Sequence, residues 1–228
     1  MIVIKDPDIR KFIRTAFPFV VIPAVALSGA VIFDSSKHLF VSLAAAFLAL
    51  LVFASGYENR KVGTRRMVIA SVMTALCVFG RFIPVFKPIT ALTIITGMYL
   101  GSETGFLVGA MSAVVSNIFM GQGPWTAFQM LAWGLIGLIA GIASDPLRKH
   151  RALLLAYGAV SGIAYSFIMD IWTTLWYSGE FDAAVYMSAL VTAIPYTVSY
   201  AASNFLFLLI LAKPFGEKLE RLHVKYGI

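Results

Sequence analysis

The side chains with the most to offer chemically are polar and aromatic groups set among long apolar stretches. Gln129 and Trp133 follow the segment Gly121-Gln-Gly-Pro-Trp-Thr126 at helical spacing, and Asn117 stands one turn before it. Arg81 opens a second such segment, Arg81-Phe-Ile-Pro-Val-Phe-Lys-Pro88, and Asp170 interrupts an apolar run that continues into Trp172, Trp176 and Tyr177. Amides, indoles, a guanidinium and one carboxylate recognise a ligand by hydrogen bonds and ring contact. Each also has a structural use: Trp and Tyr gather at membrane interfaces, and Arg81 and Asp170 could pair with each other.

Bond-making chemistry finds little support. The three histidines, His38, His150 and His223, fall in loops or the tail, so no His–carboxylate metal set forms on facing helices. No G-x-x-x-x-G-K-[ST] motif is present, so the chain does not hydrolyse ATP by that route. No Ser–His or Ser–Lys pair falls at membrane depth. The single cysteine, Cys77, forms no internal disulfide and supplies no thiolate cluster. The expectation is a binding or transport protein, not an enzyme, without a metal or cofactor of its own.

The elements that position these residues follow from composition. Of 228 residues, 60% are hydrophobic and 13% charged, and the mean hydropathy is +0.86. Soluble domains carry roughly 25% charged residues. A soluble enzyme, a secreted disulfide scaffold and a disordered chain are therefore excluded. The net charge of +7 fits basic cytoplasmic loops of a polytopic membrane protein better than a nucleic-acid surface.

A membrane-crossing helix needs ~20 apolar residues. Such stretches run Thr15–Phe33, Leu39–Gly56, Thr126–Ala143, Ala152–Trp176 and the long Phe181–Ala212. Thr104–Met120 is near normal length, whereas Met67–Gly80 and Ile89–Gly101 are short. Counted separately, these predict eight spans; merging the short pair predicts seven. With eight spans and both termini cytoplasmic, 15 of the 18 basic residues lie inside, leaving Lys37, Arg81 and Lys87 outside. Seven spans lose this asymmetry, so eight are expected. Residues 1–64 read as a two-helix transmembrane hairpin and residues 65–228 as a six-helix core with a cytoplasmic tail. The basic loop Tyr57–Arg66 is the seam between them.

Small residues recur at four-residue spacing in Gly97-x-x-x-Gly101, Gly105-x-x-x-Gly109 and Gly137-x-x-x-Gly141, a pattern that lets helix backbones approach in lipid. Ala70, Ser71, Thr74 and Ala75 give the first core helix a similar flat face, suited to a partner subunit.

Three stretches resemble a known family. Phe86-Lys-Pro-Ile-Thr-Ala-Leu-Thr-Ile-Ile-Thr-Gly97, Gly105-Phe-Leu-Val-Gly-Ala-Met-Ser-Ala-Val-Val-Ser-Asn117 and Gly121-Gln-Gly-Pro-Trp-Thr-Ala-Phe-Gln-Met-Leu-Ala-Trp-Gly134 are similar to substrate-binding S components of energy-coupling-factor (ECF) vitamin transporters. The closest likeness is to the cobalamin branch. The resemblance covers about residues 65–213 and leaves out the two preceding helices. It implies an all-α membrane protein of a prokaryotic cell membrane that binds one vitamin near its outer face. It also implies partners, a transmembrane T component and two ATPase subunits that hold the ATP and Mg, and a subunit that topples in the bilayer to release its cargo. Docking on the T component then falls to Ala70, Ser71, Thr74 and Ala75. The substrate it implies is cobalamin, held by Asn117, Gln122, Trp125, Gln129 and Trp133, with Arg81, Phe86 and Asp170 lining the same cavity. A corrin's amides suit such neutral donors and aromatic surfaces; pantothenate or another anionic vitamin would instead make Arg81 or Lys87 central. An independent secondary transporter is the competing class.

Overall fold

The structure is a computed structural model that describes residues 6–32, 38–55 and 60–226. Lys5, Lys37 and residues 56–59 of the expected seam lie outside the described residues. All regular elements among the described residues are helical, as the apolar pattern predicts.

The Asp6 side chain starts α1 (Pro7–Ala16) by accepting from the backbone N–H of Asp8 at 2.9 Å and of Ile9 at 3.2 Å. Proline at the first helical position sacrifices no helix bond. Pro18 has no N–H to give, and the chain passes through a π-helical turn over Phe17–Val21, where the Ile22 N–H returns to the Phe17 carbonyl. It continues as α2 (Ile22–Ile32). The first helix therefore begins at Pro7, not Thr15, because a capped polar turn extends it beyond the apolar stretch.

After α3 (His38–Ser55) come α4 (Arg60–Arg81), α5 (Ile89–Leu100), α6 (Ser102–Met120) and α7 (Trp125–Ile142). The short α8 (Ser144–Lys149), α9 (Arg151–Ser178) and α10 (Ala183–Tyr226) complete the chain. With α1 and α2 taken as one and α8 as a connector, the described residues form eight helical segments. Length and apolarity mark five as able to cross a membrane: Pro7–Gly29, Ser102–Met120, Trp125–Ile142, Arg151–Ser178 and Ala183–Leu222. Two expectations are corrected. The basic stretch from Arg60 is already helix, and the tail after Lys213 stays helical to Tyr226. Lys and Arg are good helix formers, so a helix can outrun its apolar segment.

The basic ends gather on one side of the bundle. Arg14 forms an ion pair with Glu103, Arg66 donates to the Leu100 carbonyl at 2.8 Å, and Arg148 pairs with Glu220 at 2.7 Å. The Arg81–Pro88 and Gly121–Pro124 connections lie at the opposite ends of α4 and α6.

At the centre is α5, with every residue but Tyr99 buried. Its 12 residues span about 18 Å, well short of a ~30 Å hydrocarbon core. Irregular backbone at membrane depth is tolerated only where protein or a water-filled cavity surrounds it. A short central helix thus draws the 82–88 connection into the bundle, where Lys87 meets Ser203 midway along α10. The glycine motifs join α5, α6 and α7: a Cβ on Gly97 or Gly105 would collide with the Gly137 carbonyl, and one on Gly109 with that of Trp133. These motifs pack inside the chain.

Candidate ligand-binding site

The end of α4, the connection after it, and α5, α7, α9 and α10 enclose a polar cavity of about 90 Å³, lined among others by Arg81, Lys87, Gln129, Trp133, Tyr165 and Tyr200. Arg81 ends α4 and is only 9% exposed. Its Nη1 donates to Asn117 Oδ1 at 2.7 Å and to the Ser116 hydroxyl. With its carbonyl oxygen taken by Arg81, Asn117 directs its amide hydrogens to Gln129 Oε1 at 2.8 Å and Thr126 Oγ1 at 2.7 Å. Gln129 passes the chain on, donating to the Tyr165 hydroxyl at 3.2 Å. One continuous network therefore runs from α4 through α6 and α7 to α9.

Rings frame it. Trp133 stacks on Tyr165 with centroids 4.8 Å apart and planes 18° from parallel, while the Arg81 guanidinium lies 5.1 Å from the Trp133 ring centre. Trp133 Nε1 donates to Thr90 on α5 at 3.1 Å. Tyr200 meets Tyr165 edge-on at 5.2 Å. Lys87 enters from the connection; burial first, and then the Arg81 charge, hold its ammonium below the ordinary lysine pKa.

Of the eight ligand residues expected from sequence, the structure brings Arg81, Asn117, Gln129 and Trp133 together. Gln122 sits at the edge, donating to the Val114 carbonyl at 2.8 Å and accepting from Thr126 at 3.0 Å. Trp125 belongs to a separate aromatic cluster, 6.3 Å from Trp172, which also contacts Phe128 and Trp176. Phe86 is 38% exposed on the connection. Asp170 is buried with Oδ2 lacking a hydrogen-bond partner among the described residues, and it forms no ion pair with Arg81. The expected Arg81–Asp170 pairing is not made; Ser116 and Asn117 take the guanidinium instead.

Sequence reading missed Thr90, Tyr165, Tyr200, Ser203 and Asn204. A signal existed for the last three: spaced by three and four residues, they give an apolar helix one polar stripe. Tyr165 lay hidden because an aromatic in an apolar helix reads as core.

Away from this cavity, Ser71, Thr74 and Ala75 line a shallow apolar groove of about 290 Å³ with Met67, Met111 and Leu50, the last contributed by α3. Ala70 also borders it but is 2% exposed, turned into the bundle.

The sequence model of a family described as "ECF-type riboflavin transporter, S component" matches residues 61–221. Among curated proteins nothing matches the chain, and nothing does among solved structures.

Proposed function

The chain belongs to the family of ECF-type riboflavin transporter S components, a transport subunit and not an enzyme, and on that premise we propose that it captures a compact heteroaromatic vitamin in the Arg81–Trp133–Tyr165 cavity. The basic end of the bundle then faces the cytoplasm, following the positive-inside rule, with both termini there and the cavity opening toward the outer face. Transport is driven by partners, a T component and two ATPase subunits, on a prokaryotic cell membrane. The helices before α4 form an added hairpin on the core, and α3 supplies one wall of the groove that receives the T component.

The observation that carries the substrate reading is the cavity itself. Stacked rings and a chain of amides suit a flat ring with polar edges, the class to which riboflavin belongs. A volume of about 90 Å³ falls below the ~300–1,000 Å³ typical of sites for drug-sized ligands. Admitting such a ligand requires the 82–88 connection to move. A corrinoid is larger still and would force the helices of the network apart, so the cavity favours a compact vitamin over the cobalamin that the sequence resemblance implies.

Two measurements test this. Purification of the tagged chain from its host should recover a T-type membrane subunit and two P-loop ATPases. Calorimetric titration with riboflavin, cobalamin, thiamine, biotin and pantothenate should give tight binding to a compact vitamin and none to cobalamin. Tight cobalamin binding would refute the substrate reading, and ATP-independent uptake by the chain alone in liposomes would refute the transporter class.

A further inference from the structure

The cavity holds positive charge and no negative charge. Arg81 is buried, yet its partners are a hydroxyl, an amide oxygen and an indole face, all neutral. Lys87 lines the same space, and the remaining polar groups around it are hydroxyls and amides. Among the described residues no carboxylate forms an ion pair with Arg81 or Lys87. Glu103 is engaged with Arg14 at the basic end of the bundle, and Asp170 stays outside the cavity lining.

A guanidinium withdrawn from water in a membrane protein is costly unless paired, and a second cation beside it adds repulsion. Hydrogen bonds to Ser116 and Asn117 orient the guanidinium without cancelling its charge. Arg presents further N–H donors in a fork that matches carboxylate and phosphate oxygens. We propose that the transported molecule carries an anionic group, a carboxylate or a phosphate, which seats between Arg81 and Lys87 and supplies the missing counter-charge. The inference rests on the reading of this cavity as the substrate site and narrows its substrate to acids.

Matched ligands that differ in one group test it: riboflavin against its 5′-phosphate, nicotinamide against nicotinate, and pantothenol against pantothenate, each titrated into the purified full-length chain. The acid should bind roughly 10- to 100-fold more tightly than its neutral partner. The flavin pair reads phosphate and the other two read carboxylate. Arg81→Gln should abolish the preference and Arg81→Lys should retain part of it, which separates charge from folding. Inorganic phosphate and acetate, followed by Trp133 fluorescence in a Trp125→Phe, Trp172→Phe, Trp176→Phe background, probe the cation pair without any vitamin. Equal or tighter binding of the neutral partners overturns the proposal. So does silence from all six ligands together with no response to phosphate or acetate. Copurification with the T component and ATPases is scored separately, so the transporter reading can stand while the acid preference falls.

Discussion

Ser203 holds Lys87 by two hydrogen bonds: its hydroxyl oxygen accepts from the Lys87 backbone N–H at 2.8 Å, and the hydroxyl donates to the Lys87 carbonyl at 3.0 Å. The two residues are 116 positions apart in the chain, so this contact fastens the wall of the cavity to the middle of α10. Ser203→Ala removes both bonds. At ~0.5–1.5 kcal/mol each, the ligand should dissociate about 5- to 150-fold faster, while helical content stays unchanged. Stopped-flow fluorescence measures the rate; an unaltered rate would mean that the 82–88 connection does not close the site.

The Asn117–Gln129–Tyr165 chain makes the second prediction. Gln129→Ala leaves the Asn117 amide and the Tyr165 hydroxyl each short of a partner in a buried site, at a cost of ~1–3 kcal/mol for an unsatisfied group. Affinity should fall by about 5- to 150-fold. Asn117→Ala should cost more, because it also strips an acceptor from Arg81. Calorimetry on both variants checks the order; a Gln129→Ala affinity equal to the parent would place the ligand elsewhere.

A pH dependence follows from Lys87, whose pKa lies below the free lysine value of 10.5 through burial and then the neighbouring Arg81. Tyr165 and Tyr200 also face this space. A bound anion favours the ammonium, so the pKa is higher in the complex than in the free protein. The protonated form therefore binds an acid more tightly. Affinity is at its maximum below the free-protein pKa and is lost as pH rises through Lys87's range in the complex. Titrations between pH 7 and 10 should show this decline, and Lys87→Met should bind more weakly with a flatter profile. A steep alkaline loss that persists in Lys87→Met would assign the titration to the tyrosines.

Much of this architecture could be read before any coordinates. Apolar runs located the helices, because a bilayer imposes a length rule on its spans that soluble cores lack. The helix ends were less legible: Pro7–Thr15, Arg60–Arg66 and the tail to Tyr226 are helical but too polar to register as span. In the site, the polar and aromatic residues flanking the Gly121–Thr126 segment were found, whereas Tyr165, Tyr200, Ser203 and Asn204 in the middle of α9 and α10 were not. Tyr165 and Asn204 become polar-site residues only through the packing of α9 and α10 against α7 and α5, which no local spacing encodes. Asp170 shows the converse, since a carboxylate and a guanidinium at similar depth suggested a pair that neutral partners on α6 pre-empted.

The last prediction concerns coupling and uses the contrast between the two sets of small residues. Gly105 and Gly109 touch backbone inside the bundle, so a side chain there must push helices apart; overpacking of this kind costs ~1–3 kcal/mol or more. Gly109→Leu should therefore lower the melting temperature in detergent and weaken ligand binding with it. Ser71 and Ala75 instead lie exposed along the groove walled by Leu50 and Met111. A bulky residue there has an open groove to enter, and it fills the space a partner helix would occupy. Ser71→Trp and Ala75→Trp should keep parental stability and ligand affinity, yet reduce recovery of the T component and ATP-driven uptake several-fold. Ala70→Trp should behave like the glycine variants, because Ala70 faces inward. If the Ser71 and Ala75 variants assemble and transport normally, the partner docks on another face, and the wall that α3 contributes serves only to shield α6 from lipid.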